Sequence, residues 1–377
     1  MNSLNSTSST SDGPSRHRQL LPALTGIRFI AAFYVVVFHA LPWLQQRFAL
    51  PQPVRTFLGN GYLAVSLFFI LSGFILAYTY EGQIAGSINR KRFWEARFAR
   101  IYPVYVLSLF LSWWFERGLP VKTRLAVLAM VQAWNPRAPE LTGAWNYPAW
   151  SLSVEIFFYL CFPFVLPRFA RISDRALVCL IGLATLAIVF LFTPIRGLGI
   201  LDRTSMVSAY IPLPVLRIPE FFLGTAIGLK LLRKERQEGI AGNALLTSLA
   251  ALAAVALLAL PIGRWVSLVA IPFAVLVYQL AAGGTLLAKF LSTQPMVLLG
   301  SASYAVYLLQ FPARSWMRVF FQDASGRLAS LGAPLTPVVL VLFSIGVFYC
   351  WEEPCRRKLR ARFARSPIAP QADGLAR

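Results

Sequence analysis

The sequence predicts an all-α membrane protein, a polytopic bundle of about ten transmembrane helices with both termini in the cytoplasm. Hydrophobic residues make up 57% of its 377 residues and charged residues only 14%, whereas a soluble domain normally has about 25% charged residues. The apolar residues fall in blocks of about twenty, which is the length that a bilayer core requires. Strands are not expected, because the alternating pattern of strands is absent and open sheets cannot span lipid.

Ten apolar blocks follow a leader, residues 1–19, which is rich in Ser, Thr and Asn and is predicted to be disordered. The blocks are 20–41, 61–80, 101–116, 149–167, 176–194, 209–231, 243–262, 265–283, 296–319 and 334–351. A weaker block, 125–134, is too short to span comfortably. Leaving it out places the densest Lys and Arg clusters in the cytoplasm, as the positive-inside rule requires, and places the loop 118–148 outside. We therefore expect one membrane domain over 20–360 and a disordered tail over 361–377.

The charge and the cysteines exclude two other classes of protein. A net charge of +21 would suggest nucleic-acid binding in a soluble protein, but here the basic residues lie between apolar blocks, so membrane topology explains most of them. The four cysteines form no CxxC pair and the two histidines form no cluster. Neither a metal site nor a disulfide framework is therefore indicated.

The first block carries two ionisable residues, Arg28 and His39. They are eleven residues apart, about three helical turns, so they lie on one face and roughly 16 Å apart along the axis. Ionisable residues inside a membrane span are costly and usually face a bundle interior or a wet cavity, which makes this face a candidate functional site. Two structural alternatives stay open: Arg28 could reach the headgroups, and His39 could be a hydrogen-bonded histidine of the bundle.

The fourth block contributes a carboxylate, Glu155, within an apolar and aromatic run. A buried carboxylate is costly unless it is paired, so its natural partner is Arg28, His39 or another buried cation, and a purely structural ion pair is the alternative. In the second block Ser72 and Gly73 are small enough to let another helix or a ligand approach, and helix packing is the commoner explanation.

Two arginines precede the third block at an i,i+3 spacing, Arg97 and Arg100, and share one helical face. The predicted topology places them at the cytoplasmic mouth, where their forked donors suit a phosphate. The alternative is that they serve only the positive-inside rule. Tyr102 and Pro103 follow, adding a polar tip and a kink at the membrane edge.

Two further stretches have ordinary explanations. Glu352 and Glu353, beside an Arg and Lys cluster, are expected to form a salt-bridged end of the last span at the interface. The exterior loop contains aromatic residues that could form a sugar-stacking platform or anchor the loop at the interface. These residues are Trp134, Trp145, Tyr147 and Trp150.

Taken in order, several of these motifs resemble the acyltransferase-3 family of integral membrane O-acyltransferases. They are Arg28-x10-His39, Ser72-Gly73-Phe74, Arg97-x-x-Arg100, Trp150-Ser-Leu-Ser-Val-Glu155 with Phe158-Tyr159, Ser303-Tyr304 to Leu308, and Glu352-x-Pro354. The resemblance runs from residue 20 to about 360. Within the family it is nearest to bacterial exopolysaccharide acetyltransferases of the kind that decorate xanthan-type polymers. One departure is Gln310, where family members often have His; Gln can hydrogen-bond but cannot titrate.

The resemblance implies a multi-pass enzyme of the bacterial inner (cytoplasmic) membrane. It would move an acyl group, acetyl by default, from cytoplasmic acyl-CoA to a hydroxyl of an exopolysaccharide or of its lipid-linked precursor. The implied partners are acetyl-CoA, the glycan acceptor, membrane lipid and other polysaccharide-assembly proteins, with no metal and no nucleic acid. The sequence leaves open the acyl group, the sugar and its hydroxyl, the side of transfer and the oligomeric state.

The mechanism that follows assigns the chemistry to His39, since histidine titrates nearest to neutral pH and a hydroxyl needs a base to take its proton. His39 is expected to act either as general base or as a transient acyl carrier. Glu155 would orient His39 or stabilise its imidazolium. Arg28 would guide the pantetheine arm or a thioester oxygen.

Donor binding is assigned to four further positions. Arg97 and Arg100 would bind the CoA phosphates, and Ser72 and Tyr102 would complete the donor site. The rival function is a transporter or flippase of glycan or lipid intermediates, which would also use buried Arg, Glu and His. It predicts movement of a substrate without covalent change and no acyl-CoA site.

Overall fold

The computed structural model describes residues 21–81, 89–192, 210–238, 240–321 and 327–365. Within these ranges the regular structure is helical and no strand occurs. The helices of the first half are α1 (Pro22–Arg47), α2 (Gln52–Gly59), α3 (Ala64–Tyr80), α4 (Arg90–Ser112), α5 (Val121–Leu128), α6 (Trp150–Arg171) and α7 (Asp174–Phe192). Those of the second half are α8 (Leu213–Leu216), α9 (Ile218–Glu238), α10 (Ala244–Ala259), α11 (Ala270–Ala282), α12 (Leu286–Leu291), α13 (Gln294–Phe320), α14 (Arg327–Val347) and α15 (Glu353–Arg365).

Seven helical stretches among the described residues are long and apolar enough to cross a membrane. They are Pro22–Arg47, Gln52–Tyr80, Arg90–Phe115, Tyr147–Arg171, Trp265–Ala282, Gln294–Phe320 and Gly332–Phe363. The chain is thus an all-α, multi-pass membrane protein, as the sequence predicts. The three other predicted blocks coincide with α7, α9 and α10, so the number of ten spans and the cytoplasmic termini stay predictions.

Of the two predicted boundaries of the membrane domain, at residues 20 and 360, only the second lies within the described residues. The leader, residues 1–19, and the chain after 365 lie outside the described residues. The boundary predicted at 360 falls inside α15, which continues to Arg365. Glu353 forms ion pairs with Arg356 and Arg357 one turn further on, and such i,i+3 and i,i+4 pairs favour a charged helix over a disordered tail. The weak block 125–134 holds only the eight-residue α5, which at 1.5 Å per residue spans about 12 Å and cannot cross a bilayer.

Local sequence sets where several helices begin. The side chain of Asn89 accepts a hydrogen bond from the Arg92 backbone N–H at 3.0 Å and so caps α4. Asn243 and Thr285 cap α10 and α12 in the same way. These caps satisfy amide groups that a helix leaves unpaired in its first turn. The cap at Asn89 fixes the register of α4 and therefore the face on which its arginines lie.

Close contacts between small residues fix the positions of the helices around the site. A Cβ atom at Gly73 on α3 would lie 2.1 Å from the Phe221 carbonyl oxygen of α9, and one at Gly224 would lie 1.9 Å from the Ile70 carbonyl oxygen of α3. A Cβ at Gly300 on α13 would likewise lie 1.9 Å from the Thr25 carbonyl oxygen of α1. Backbones this close require glycine, as is usual where membrane helices pack tightly. Packing is thus the role of Gly73, while its neighbour Ser72 belongs to the site.

Candidate active site

Two cavities open along α1; Arg28 lines the first and His39 lines the second. The first, here called the arginine cavity, has a volume of about 140 Å³. Its polar lining is Arg28, Ser72, Arg97, Arg100, Ser151, Glu155, Tyr159, Ser303, Tyr304 and Tyr307. The second, the histidine cavity, has a volume of about 780 Å³. Its polar lining is His39, Gln46, Tyr147, Gln310, Arg314, Arg318 and Thr336.

Glu155 lies in the arginine cavity, where two hydroxyl groups bind it. Ser72 on α3 donates to its Oε1 at 2.9 Å, and Tyr159, one turn further along α6, donates to the same oxygen at 2.5 Å. Arg28 lies close enough for its charge to interact with that of Glu155. Arg28 is thus the cation near Glu155 that the sequence led us to expect. The two hydroxyl groups supply the hydrogen bonds that a carboxylate requires away from water.

Glu352 also belongs to this cavity's surroundings, and the prediction of an interfacial end was wrong for this residue. Its side chain is 1% exposed and forms an ion pair with Arg100, and its charge also interacts with that of Arg28. The cause is a π-helical turn, Phe348–Glu352, between α14 and α15. Such a turn holds an extra residue and shifts the helical register, so Glu352 turns into the bundle while Glu353 stays at its surface.

Arg97 has no carboxylate partner among the described residues. Its Nε is buried without a hydrogen-bond acceptor there, and its guanidinium carbon lies 5.9 Å from the ring centroids of Tyr80, Phe93 and Tyr159. Aromatic faces stabilise a cation only partly. The arginine cavity therefore combines three arginines with two carboxylates, which leaves one positive charge available to an anion.

Tyr102, which was predicted to complete the donor site, does not line this cavity. Its ring stacks on Phe98 with the centroids 4.5 Å apart, and its hydroxyl is directed to the Leu128 carbonyl oxygen of α5 at 3.4 Å. The reason is helical geometry: two residues after Arg100 correspond to a rotation of about 200°, which is the opposite side of α4. Closeness in sequence to Arg100 therefore does not place Tyr102 at this cavity.

In the histidine cavity, His39 is hydrogen-bonded to Gln310 of α13. The distance from His39 Nδ1 to Gln310 Oε1 is 2.8 Å, and Gln310 Nε2 donates to the Tyr307 carbonyl oxygen at 2.7 Å. Since that second bond fixes the amide with its oxygen toward the ring, Nδ1 carries the proton and donates it. Nε2 is then the unprotonated nitrogen of the neutral imidazole and the one that can accept a proton.

This arrangement corrects the role predicted for Glu155. Eleven residues of α-helix separate Arg28 from His39 by about 16 Å, and Glu155 lies at the Arg28 end of that interval, in the other cavity. The group that orients His39 is the amide of Gln310. It acts as the third member of a catalytic triad does, fixing tautomer and ring orientation, but it carries no charge.

A thin polar layer lies between the two cavities. Tyr307 and Ser151 line the arginine cavity and Pro148 lines the histidine cavity. The Tyr307 hydroxyl donates to the Pro148 carbonyl oxygen at 3.1 Å and accepts from Ser151 Oγ at 2.9 Å. A ligand long enough to extend from one cavity into the other would pass through this layer.

The loop 118–148, predicted to lie outside the membrane, is tied to the bundle by its aromatic and amide side chains. The indole N–H groups of Trp134 and Trp145 donate to the carbonyl oxygens of Ser153 and Leu109, both at 2.9 Å. Asn146 is fully buried and donates to the Leu308 carbonyl oxygen. These bonds attach the loop to α4 and α6, and the roles of sugar platform and interfacial anchor stay predictions.

Tyr147 is the aromatic residue of the loop that remains available at the site. It is 48% exposed, and its ring meets the His39 ring edge-on with the centroids 5.9 Å apart. The buried attachment of the preceding Asn146 places Tyr147 at the rim of the histidine cavity. It could therefore contact a ligand bound beside His39.

Sequence reasoning missed the placement of four residues in or beside the two cavities. Gln310 was noted only as a departure from the family pattern, although an amide inside an apolar block must have a partner. The pair Arg314 and Arg318 could have been read from its i,i+4 spacing, as the pair in α4 was. The burial of Glu352 has no signal in the local sequence, because the π turn that causes it is not encoded by a recognisable motif.

Comparison with known proteins gives one family and several relatives. A family model described as an acyltransferase domain, acyltransferase type 3, matches residues 21–351. Acyltransferase MdmB of Streptomyces mycarofaciens is 31% identical over 94% of this chain and 95% of its own length. O-acetyltransferase OatA of Staphylococcus aureus is 24% identical over 92% of this chain, which spans 59% of OatA. No solved structure matches the chain.

Proposed function

Since the chain belongs to the acyltransferase-3 family, we propose that it is an O-acyltransferase that moves an acyl group, acetyl by default, from acyl-CoA to a sugar hydroxyl. The acceptor would be an exopolysaccharide or its lipid-linked precursor. The donor would come from the cytoplasm, and the enzyme would act in the bacterial inner membrane beside other polysaccharide-assembly proteins. The name of OatA, an O-acetyltransferase, supports transfer to oxygen.

The observation that carries this proposal is the hydrogen bond between His39 and Gln310 in the larger cavity. It leaves Nε2 as a base in a space large enough for a sugar. In the reaction, Nε2 takes the proton of the acceptor hydroxyl while the oxygen of that hydroxyl attacks the thioester carbon. The carbon–sulfur bond then breaks, and the CoA thiolate leaves and takes up the proton from the imidazolium. An acyl-His39 intermediate would use the same nitrogen and remains the alternative route.

The arginine cavity supports the use of a CoA donor. Its unpaired positive charge and the buried, unpartnered Nε of Arg97 suit an anionic ligand. In the proposal Arg97 and Arg100 bind CoA phosphates, and Arg28 guides the pantetheine arm or a thioester oxygen. CoA has phosphates at one end and a thioester at the end of a flexible arm, so a donor held in this cavity could reach past Tyr307 to His39.

The proposed function is tested by the ester content of the surface or secreted polysaccharide. Cells would carry the intact gene, a deletion, or His39→Ala, with Arg137→Ala in the exterior loop as a control at matched protein amounts. We expect the deletion and His39→Ala to lose the O-acyl groups while polymer is still exported, and Arg137→Ala to retain them. Normal esters in His39→Ala would reject the assignment. Loss of export with esters retained would favour the transporter instead.

A further inference from the structure

The histidine cavity contains a pair of arginines to which the acyl-transfer reaction assigns no role. Arg314 and Arg318 are one turn apart on α13 and both line the cavity. Together with Gln310 they form a row on one face of the helix, at a spacing of four residues, or about 6 Å, per step. The row begins at the residue that orients His39 and leads away from it.

Arg314 is held in place beside the histidine. Its Nη2 donates to the His39 carbonyl oxygen at 2.9 Å. A guanidinium has five N–H groups, so this bond fixes the side chain and leaves most of its donors available to the cavity. Arg318 continues the row toward the cavity's far end, and both arginines are exposed.

Neither arginine has an ion-pair partner in the described part of the chain. Carboxylates pair with the arginines of α4, α9 and α15, but no described Asp or Glu lines the histidine cavity. Two like charges at an i,i+4 spacing destabilise a helix. Arg314 and Arg318 line a cavity that holds no carboxylate from the described residues. They therefore suit an anionic ligand that enters the cavity from outside.

The predicted topology offers no other reason for this pair. Gly300 contacts Thr25 and Gln310 contacts His39, so α13 runs parallel to α1. With a cytoplasmic amino terminus, Arg314 and Arg318 lie toward the outer end of α13. The positive-inside rule explains arginines on the opposite side of the membrane and not here.

We propose that Arg314 and Arg318 bind an acidic group of the acceptor, a phosphate or a carboxylate, and so place a nearby sugar hydroxyl at His39. Forked guanidinium donors match both anions. The positions of Arg314 and Arg318, one and two turns beyond Gln310, set a distance. Since four residues of helix rise about 6 Å, the acidic group lies about 6–12 Å from the reacting hydroxyl. That distance corresponds to one or two sugar rings. A diphosphate linking a glycan to its lipid carrier and the carboxylate of a uronic acid both meet this requirement.

The inference rests on the proposed function, but its test does not need turnover. Purified protein in lipid nanodiscs is first saturated with CoA, so that the arginine cavity is occupied. Inorganic pyrophosphate, methyl glucuronide and the neutral methyl glucoside are then titrated in a calorimeter. The proteins compared are the wild type, a double variant with Arg314→Gln and Arg318→Gln, and the Arg137→Gln control, which removes one exposed arginine of the exterior loop.

We expect at least one anion to bind the wild type tenfold or more tightly than methyl glucoside. The double variant should lose that preference, and the Arg137→Gln control should keep it within twofold. Pyrophosphate binding would identify a lipid diphosphate as the source of the acidic group, and glucuronide binding a uronic acid. If the wild type binds neither anion better than methyl glucoside, or if the double variant binds as the wild type does, the proposal is overturned and the arginines are solvated surface residues.

Two additions separate other causes of failure. A second double variant, Arg314→Lys with Arg318→Lys, keeps the charge and should retain measurable anion binding, which excludes misfolding as the cause of a loss. The release of CoA thiol from acetyl-CoA, measured on the same samples, reports the donor half of the reaction. If the wild type neither binds CoA nor cleaves acetyl-CoA, the proposed function fails, whereas the anion titrations still decide the role of the arginine pair.

Discussion

Replacement of Glu352 by alanine tests the ion pair next to the arginine cavity. Glu352 is 1% exposed and pairs with Arg100, whose side chain is 21% exposed. Removing one partner of a buried pair costs about 3–5 kcal/mol, because the other charge stays buried without compensation. Since Arg100 reaches water in part, we expect a loss near the lower end, about 3 kcal/mol.

The adjacent Glu353 provides a matched control. It is an identical side chain one position along, and its partners Arg356 and Arg357 are 29% and 78% exposed. Exposed pairs contribute about 0.2–1 kcal/mol each. Glu353→Ala should therefore cost about 1 kcal/mol in all, and the two variants should differ by about 2 kcal/mol.

The measurement is the temperature at which half of the detergent-solubilised protein remains monodisperse after heating. For a large domain 1 kcal/mol corresponds to about 2–4 °C, so Glu352→Ala should lie about 6–12 °C below the wild type and clearly below Glu353→Ala. Combining Glu352→Leu with Arg100→Leu should recover stability relative to Glu352→Leu alone, because no buried charge is then left unpaired. Equal midpoints for the Glu352 and Glu353 alanine variants would refute the reasoning.

Two further predictions concern the donor and the helix packing. Arg97→Ala should raise the KM for acyl-CoA at least tenfold with little change in stability, because Arg97 has no ion-pair partner among the described residues; an unchanged donor dependence would count against a phosphate role. Gly300→Ala should lower stability by about 1–3 kcal/mol, since its Cβ would lie 1.9 Å from the Thr25 carbonyl oxygen. Gly346→Ala, whose Cβ meets nothing within 4 Å, should be neutral or stabilising by up to about 1 kcal/mol, and equal effects of the two glycine changes in the same heating assay would contradict this account.

The helices were predictable because a bilayer imposes a length on each apolar block. Each of the ten predicted blocks carries a helix, and the short α5 was correctly left out of the spans. The predicted orientation of the bundle follows from the distribution of Lys and Arg alone. α15 continues past the predicted boundary at 360 to Arg365, and the ion pairs of Glu353 stabilise its first turns.

The sequence allowed most of the individual site residues to be predicted, but not which of them share a cavity. Arg28 and His39 were recognised from their shared face, yet their separation along the axis decides that they serve different cavities. Glu155 was expected to need a cation; it accepts hydrogen bonds from Ser72 and Tyr159, and Arg28, one of the candidates named, lines the same cavity. The pairing of His39 with Gln310 depends on the register between α1 and α13, which tight glycine contacts set and no single-helix pattern reveals.

The unequal packing of the two cavities bears on how such enzymes can diversify. Contacts at Gly73, Gly224 and Gly300 hold the helices around the arginine cavity so closely that almost any substitution there would be disruptive. One wall of the histidine cavity comes from α14, where Ala333 is exposed and Thr336 and Pro337 are half-buried. Mutations can accumulate at these positions without disturbing the core. Under the proposed function the acceptor binds against this wall, so evolution could change the acceptor in small, tolerated steps while the arginine cavity stayed constant.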